Sequence, residues 1–216
     1  MAKSASSSVN DILVSGGLVC GGESGPLLHG GDLTAARRLF PAAPQPFIDL
    51  STGINPVPYR LPRLSGGLFA RLPDPADAIA LAGIAARAYG APSAAHVVPA
   101  PGTQILLPLV AALVPPGRAA ILSPAYGEFA RAAALAGHSI TDARALDAVG
   151  DARLVFVGNP NNPDGRLYAR DDLIALAEKL RLRGGVLVVD EAFMDVGPSG
   201  ASLADEVGSG NIVVLR

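Results

Sequence analysis

The chain has 216 residues, half of them hydrophobic, and a formal net charge of −2 at pH 7. That is enough apolar material for one large core; with no basic stripe, the balance argues against nucleic acid as the main partner. A single cysteine, Cys20, excludes an internal disulfide and a multi-thiolate zinc site, and His29, His96 and His138 lack metal-ligand spacing, so no metal is expected.

No apolar run reaches the roughly 18 to 20 residues of a membrane helix, so the chain reads as soluble and cytoplasmic. Residues 1–28 are rich in Ser and Gly. The run Ile12 to Cys20 is broken by Ser15, Gly16 and Gly17 and follows Asp11, which argues against a secretion signal. These residues read as a flexible N-terminal extension. Asp32 is placed to cap a short helix through Leu39, with Leu33, Ala36, Leu39 and Phe40 on one side. Phe47 to Pro56 reads as a strand running into a tight loop, and Gly30, Gly31 and Gly53 allow close backbone approach. Residues 29–62 are taken as an arm, and 63–216 as the main domain.

Ala76 to Tyr89 has helical composition and stops before Gly90 and Pro92. His96 to Pro101 reads as a short strand leading into Gly102, which opens an apolar helix from Ile105 to Val114. A strand at Ala119–Leu122, a helix from Ser123-Pro-Ala-Tyr-Gly127 to Ala136 and a strand at Ser139–Thr141 follow. Leu154-Val-Phe-Val-Gly158 and Val186-Leu-Val-Val-Asp190 are apolar, β-branched runs that each stop abruptly in polar residues. Between them lies an amphipathic segment, Arg170 to Arg183. That is a βαβ unit, and the alternation continues to a last strand at Asn211–Arg216, so the class is α/β with a mainly parallel sheet.

In such sheets ligands bind beyond the carboxyl ends of the strands. Asn159, Asn161, Asn162 and Asp190 all stand there. Asp190 follows four apolar residues, and a shielded carboxylate needs a cationic or donor partner. Asn159-Pro-Asn-Asn-Pro-Asp-Gly165 is a turn sequence with three amides at a core strand's end. Gly102-Thr103-Gln104 at a helix start suits a phosphate, although a plain βα turn would look the same. Tyr126 reads either as core or as an aromatic plate over a flat ligand. The dinucleotide fingerprint G-x-G-x-x-G and the P-loop are both absent.

Taken together, Gly102-Thr103-Gln104, Ser123-Pro-Ala-Tyr126, Asn159 to Gly165 and Asp190-Glu-Ala-Phe193 resemble, in order and spacing, the pyridoxal-phosphate enzymes of the class I/II aminotransferase fold. His29-Gly-Gly-Asp-Leu33 and Ser51-Thr-Gly-Ile-Asn-Pro56 further resemble the threonine-phosphate decarboxylases of cobalamin biosynthesis, whose nearest relatives are the histidinol-phosphate aminotransferases. The resemblance implies a three-layer large domain and pyridoxal 5'-phosphate as cofactor. Gly102, Thr103 and Gln104 would cradle its phosphate, Tyr126 would stack on its ring, Asn162 would donate to its phenolic oxygen and Asp190 would meet its ring nitrogen. His29, Gly30, Gly31 and Asn55 would lie near a small phosphorylated amino-acid substrate, and a homodimer is implied.

Relatives often carry Tyr where this chain has Phe193, and Thr where it has Asp164. The family's Schiff-base lysine stands in a Ser-x-x-Lys motif just past the strand matching Ile212–Leu215, which places it beyond Arg216. Lysine occurs here only at Lys3 and Lys179, and neither matches. The expectation is therefore a C-terminally truncated chain lacking the small domain and inactive alone. A histidinol-phosphate-type aminotransferase and a non-catalytic binding fragment are the alternatives.

Overall fold

The computed structural model describes residues 30–198 and 200–216; His29 and the extension read at 1–28 lie outside them. The described chain falls into two compact units that meet in sequence at Arg71 and Leu72.

In the first unit, helix α1 (Leu33–Leu39) starts at Asp32, whose carboxylate accepts from the Ala35 N–H at 2.8 Å, as the capping rule expects. None of its residues is buried. Phe47 to Leu50, expected as a strand, is irregular. Apolar residues alone do not make a strand, which needs a neighbour to pair with and a face to bury. Here Ile48 and Leu50 are 84% and 88% exposed.

The second unit is built on one sheet. Helix α2 (Pro75–Tyr89) has Pro75 at its first turn, Asp74 as its cap and Gly90 in the left-handed region at its end. The strand expected from His96 to Pro101 is instead irregular chain, entered from a short 3-10 turn at Ala94–His96. Pro99 and Pro101 supply no N–H for a ladder. Helix α3 (Thr103–Ala111) leads to strand β1 (Arg118–Leu122), α4 (Gly127–Leu135), β2 (Ser139–Ala143), β3 (Leu154–Gly158), α5 (Arg170–Arg181), β4 (Val186–Asp190) and β5 (Ile212–Leu215). The five strands are all parallel, in the order β2-β1-β3-β4-β5.

Side chains alternate between the two faces of each strand. Ala119, Ile121, Leu154, Phe156, Val188 and Leu215 pack with α3 and α4. Ala120, Leu122, Val155, Val157, Leu187 and Val189 pack with Leu173, Leu176, Ala177 and Leu180 of α5. The result is three layers with both sheet faces covered, which explains the unbroken apolar runs. The chain leaves β1 toward β2 and then crosses back to β3 on the other side. The order therefore reverses between β1 and β3, where open α/β sheets form their ligand crevice. Among the described residues no helix is long and apolar enough to cross a membrane, and no group of three or more His, Cys, Asp or Glu could hold a metal.

Candidate functional site

Four predicted elements meet the carboxyl edge of the sheet on its α3/α4 face. Gly102 caps α3 with φ 101° and ψ 155°, a conformation that favours glycine. No side chain caps this helix. The N–H groups of its first turn, from Thr103 and Gln104 onward, point out of the helix end, and the dipole there favours an anion.

Tyr126 is the residue before α4. Its ring meets Phe129 edge-on, with centroids 5.7 Å apart, and Phe129 stacks on Phe156 of β3 at 5.4 Å. This column, rooted in the core, braces a half-buried ring. Burial raises the phenol's pKa, and the charges of Glu128 and Asp190 raise it further. Tyr126 therefore stays protonated within the field of Asp190.

Asp190 ends β4, in register with Gly158 on one side and Leu215 on the other. By alternation from Val188 its side chain belongs to the α3/α4 face, beside a position with no side chain. Its carboxylate is half-buried and accepts from the Ala192 N–H at 3.0 Å. It forms no ion pair among the described residues. Burial raises its pKa, and the Ala192 hydrogen bond offsets part of this. A cationic partner would offset the burial and bring that pKa back down.

The structure separates the three asparagines. Asn159 is fully buried; its carbonyl oxygen accepts from Tyr168 N–H at 2.8 Å, and its main-chain N–H donates to Asp190 O at 2.8 Å. Asn161 is also buried, with its amide nitrogen bound to Pro124 O and Asp164. Asn162 is exposed and is the one whose side chain is open to a ligand. The buried Asn159 amide nitrogen has no partner among the described residues, an unspent donor at the base of the same loop.

Glu191, unremarked in the sequence, is the most strongly held acid of this edge. It is 1% exposed, and accepts from Ser202 Oγ at 2.6 Å and Leu203 N–H at 2.7 Å, with Arg216 at 3.5 Å. Alternation from Asp190 sends it to the α5 face. Its neighbour Arg170 reaches Ser202 O, Asp205 and Glu206. An acid following a strand-end acid was the available signal, but its partners lie 11 and 12 residues on.

Gly30, Gly31 and Asn55 belong to the first unit. A Cβ on Gly30 would lie 2.2 Å from Ser51 O, so the backbones touch there and only glycine fits. Gly31 N–H donates to Ser51 Oγ at 2.7 Å, and Asn55 Oδ1 accepts from Val57 N–H at 2.9 Å. Lys179 lies on α5 in a cavity of about 600 Å³ lined also by Arg144, Leu146, Arg166, Tyr168 and Leu176. That cavity is on the face away from Asp190.

The start of α3, the half-buried Tyr126 ring after β1, the exposed Asn162 after β3 and the half-buried Asp190 carboxylate ending β4 are thus the polar and aromatic groups that the fold offers a ligand. This defines a three-layer parallel α/β domain with a candidate ligand edge at the carboxyl ends of its strands. The model of the aminotransferase class I and II family matches residues 48–216, and the chain belongs to that family.

It is 41% identical over 197 residues to the threonine-phosphate decarboxylase of Sinorhizobium sp, covering 89% of this chain and 58% of that one. With the threonine-phosphate decarboxylase of Pseudomonas aeruginosa the identity is 38% over 193 residues, covering 88% and 56%. The chain thus spans about half the length of the curated relatives it matches. Histidinol-phosphate aminotransferase from Sinorhizobium meliloti in complex with pyridoxal-5'-phosphate has the same fold, with TM-score 0.59, 24% identity and coverage of 69% and 44%. L-threonine-O-3-phosphate decarboxylase from Porphyromonas gingivalis superposes with TM-score 0.54 at 22% identity, covering 64% and 46%.

Proposed function

We propose that this chain carries the cofactor-binding half of a pyridoxal-phosphate-dependent decarboxylase. In a protein of its relatives' length, it would convert L-threonine O-3-phosphate to aminopropanol phosphate and CO₂ for cobalamin biosynthesis. The observation that carries the reading is the 41% identity with a threonine-phosphate decarboxylase across 89% of the chain. The histidinol-phosphate aminotransferase of Aeromonas salmonicida matches only 44% of it.

The residues fit the cofactor. The first-turn N–H groups of α3, from Thr103 and Gln104, would bind its phosphate, and Gly102, whose own N–H is given to Ala100 O at 2.8 Å, would let the backbone approach it closely. Tyr126 covers one face of its ring. Asp190 would meet the ring nitrogen and favour its protonated form. The Asn162 amide donates to the phenolic oxygen. When bound, pyridoxal phosphate supplies an electron-accepting ring for the pair released as CO₂ leaves Cα. The net change replaces the Cα–carboxylate bond by a Cα–H bond. On the family resemblance alone, His29, Gly30, Gly31 and Asn55 are proposed to contact the substrate.

Neither lysine is assigned a covalent role: Lys179 lies on the α5 face, and Lys3 is outside the described residues. The 216-residue chain by itself is therefore expected to bind the cofactor without a covalent bond and without turnover. Borohydride reduction of the loaded chain should leave its mass unchanged; an increment on Lys3 or Lys179 would refute this assignment. We further propose a homodimer. Ile105 and Leu109 of α3 and Leu113 just beyond it, spaced four apart, are 53%, 63% and 65% exposed, which supports an apolar contact along this segment.

The deciding assay uses a protein of full family length. Release of CO₂ from L-threonine O-3-phosphate with formation of aminopropanol phosphate supports the proposal. Amino transfer from histidinol phosphate to a keto acid, with no CO₂, replaces it by the aminotransferase reading.

A further inference from the structure

Asn161 is 5% exposed, and its amide nitrogen donates twice, to Pro124 O at 2.8 Å and to Asp164 Oδ1 at 2.7 Å. Pro124 lies in the turn that carries Tyr126. Asp164 lies in the loop that carries Asn162. One buried side chain therefore joins the two loops that present the plate and the exposed amide. Its main chain grips the same loop: Asn161 N–H donates to Arg166 O, and Asn161 O accepts from Gly165 N–H, both at 2.8 Å.

The circuit closes through Asp164. Its carboxylate also accepts from Arg166 N–H at 3.1 Å and from the Arg166 guanidinium at 2.9 Å. Arg166 donates onward to Tyr168 OH at 2.9 Å, and Tyr168 N–H returns to Asn159 Oδ1 at 2.8 Å. Gly158 completes the fit, because a Cβ there would lie 2.7 Å from Asn161 Oδ1. These contacts exceed what a seven-residue turn needs, and the Pro124 contact leaves the turn altogether.

We infer that Asn161 and Asp164 are positioning residues that fix the Asn162 loop against the Tyr126 turn, with Arg166 orienting the Asp164 carboxylate. The roles of Tyr126 and Asn162 toward the cofactor rest on the proposed function; the pin between their loops does not. Partners that orient a ligand-binding group commonly change affinity by about 10- to 100-fold when removed.

The test reads the two loops with and without cofactor. The chain is labelled with 3-fluorotyrosine, and the Tyr126 line among its four tyrosines is assigned with Y126F. In D164A the Tyr126 fluorine line shifts or broadens before any cofactor is added, and pyridoxal phosphate binds about tenfold more weakly. D164N stays nearer wild type, because its amide oxygen still accepts from Asn161. N161A behaves like D164A; where it does not fold, the exposed Asp164 decides alone. An unmoved Tyr126 line in D164A overturns the inference, as does a lowered melting temperature with line and affinity unchanged. If the wild-type chain fails to bind pyridoxal phosphate while the D164A line moves, the pin stands and the proposed function falls. If the wild-type and D164A chains bind equally with the line unmoved, the pin falls and the function stands.

Discussion

Asp190 and Glu191 are neighbours in sequence with opposite lives. Burial raises the pKa of both. Asp190, on the α3/α4 face, has one main-chain hydrogen bond and no ion pair among the described residues. Glu191, on the α5 face, is held by Ser202, Leu203 and Arg216. On the Asp190 side polar groups are left with capacity: the start of α3 after Gly102, which no side chain caps among the described residues, and the exposed Asn162. Around Glu191 they are closed against each other, with Arg170 tying the start of α5 to Asp205 and Glu206. One edge of one sheet thus has a saturated side that holds the fold and an unsaturated side that can hold a ligand.

The largest expected effect is on the saturated side. E191A leaves Leu203 N–H and Ser202 Oγ without their acceptor in a buried place, and should cost about 3 kcal/mol in chemical denaturation. E191Q should cost less, since its amide oxygen still meets Leu203 N–H. Intact stability in E191A would mean that the α5 side is not the anchor. Next in size, D190N should weaken pyridoxal phosphate binding by about a hundredfold, because a charge-assisted hydrogen bond to the ring nitrogen is lost. Its effect on stability has the opposite sense. A carboxylate with a raised folded pKa stabilises most below its unfolded pKa, and that contribution is lost as pH rises through the folded value. Without cofactor, D190N should therefore be as stable as wild type or more so at neutral pH. The gap should close below the ordinary carboxylate pKa of 3.8. Denaturation curves at both pH values decide it; a destabilised D190N at neutral pH would place Asp190 among the anchors.

The same contrast explains what the sequence could and could not disclose. The unit from β3 through α5 to β4 was legible because burial on both faces writes unbroken apolar runs, and α5 wears a clear amphipathic pattern. Asp190 was legible as the polar stop of such a run. Phe47 to Leu50 carried the same local signature but lacks a paired neighbour, and pairing is not a local property. The division of labour among Asn159, Asn161 and Asn162 was also hidden, since it depends on Pro124, Asp164 and Tyr168 reaching the loop. The Glu191 anchor was hidden for the same reason. Local pattern marks the edge; tertiary partners decide which polar residues on it remain available.

A smaller effect sharpens the unsaturated side. N162A should weaken cofactor binding about tenfold, the value of one hydrogen bond to a charged oxygen. Losing this exposed side chain should leave the melting temperature unchanged. A fall in stability with unchanged affinity would move Asn162 to the structural set with Asn161.

The smallest effect concerns Phe193, which follows Asp190 by three residues and is 37% exposed. Relatives often place a tyrosine there, whose hydroxyl would share the phenolic oxygen with Asn162. F193Y should therefore tighten pyridoxal phosphate binding by about threefold, the low end of a net hydrogen bond. The more telling measurement is the cycle with N162A. If both groups meet the same oxygen, the new hydroxyl should gain more in the N162A background than in wild type, giving a coupling of about 0.5 kcal/mol or more. Strict additivity would mean that Phe193 faces another part of the site, and that Asn162 alone serves the oxygen in this chain.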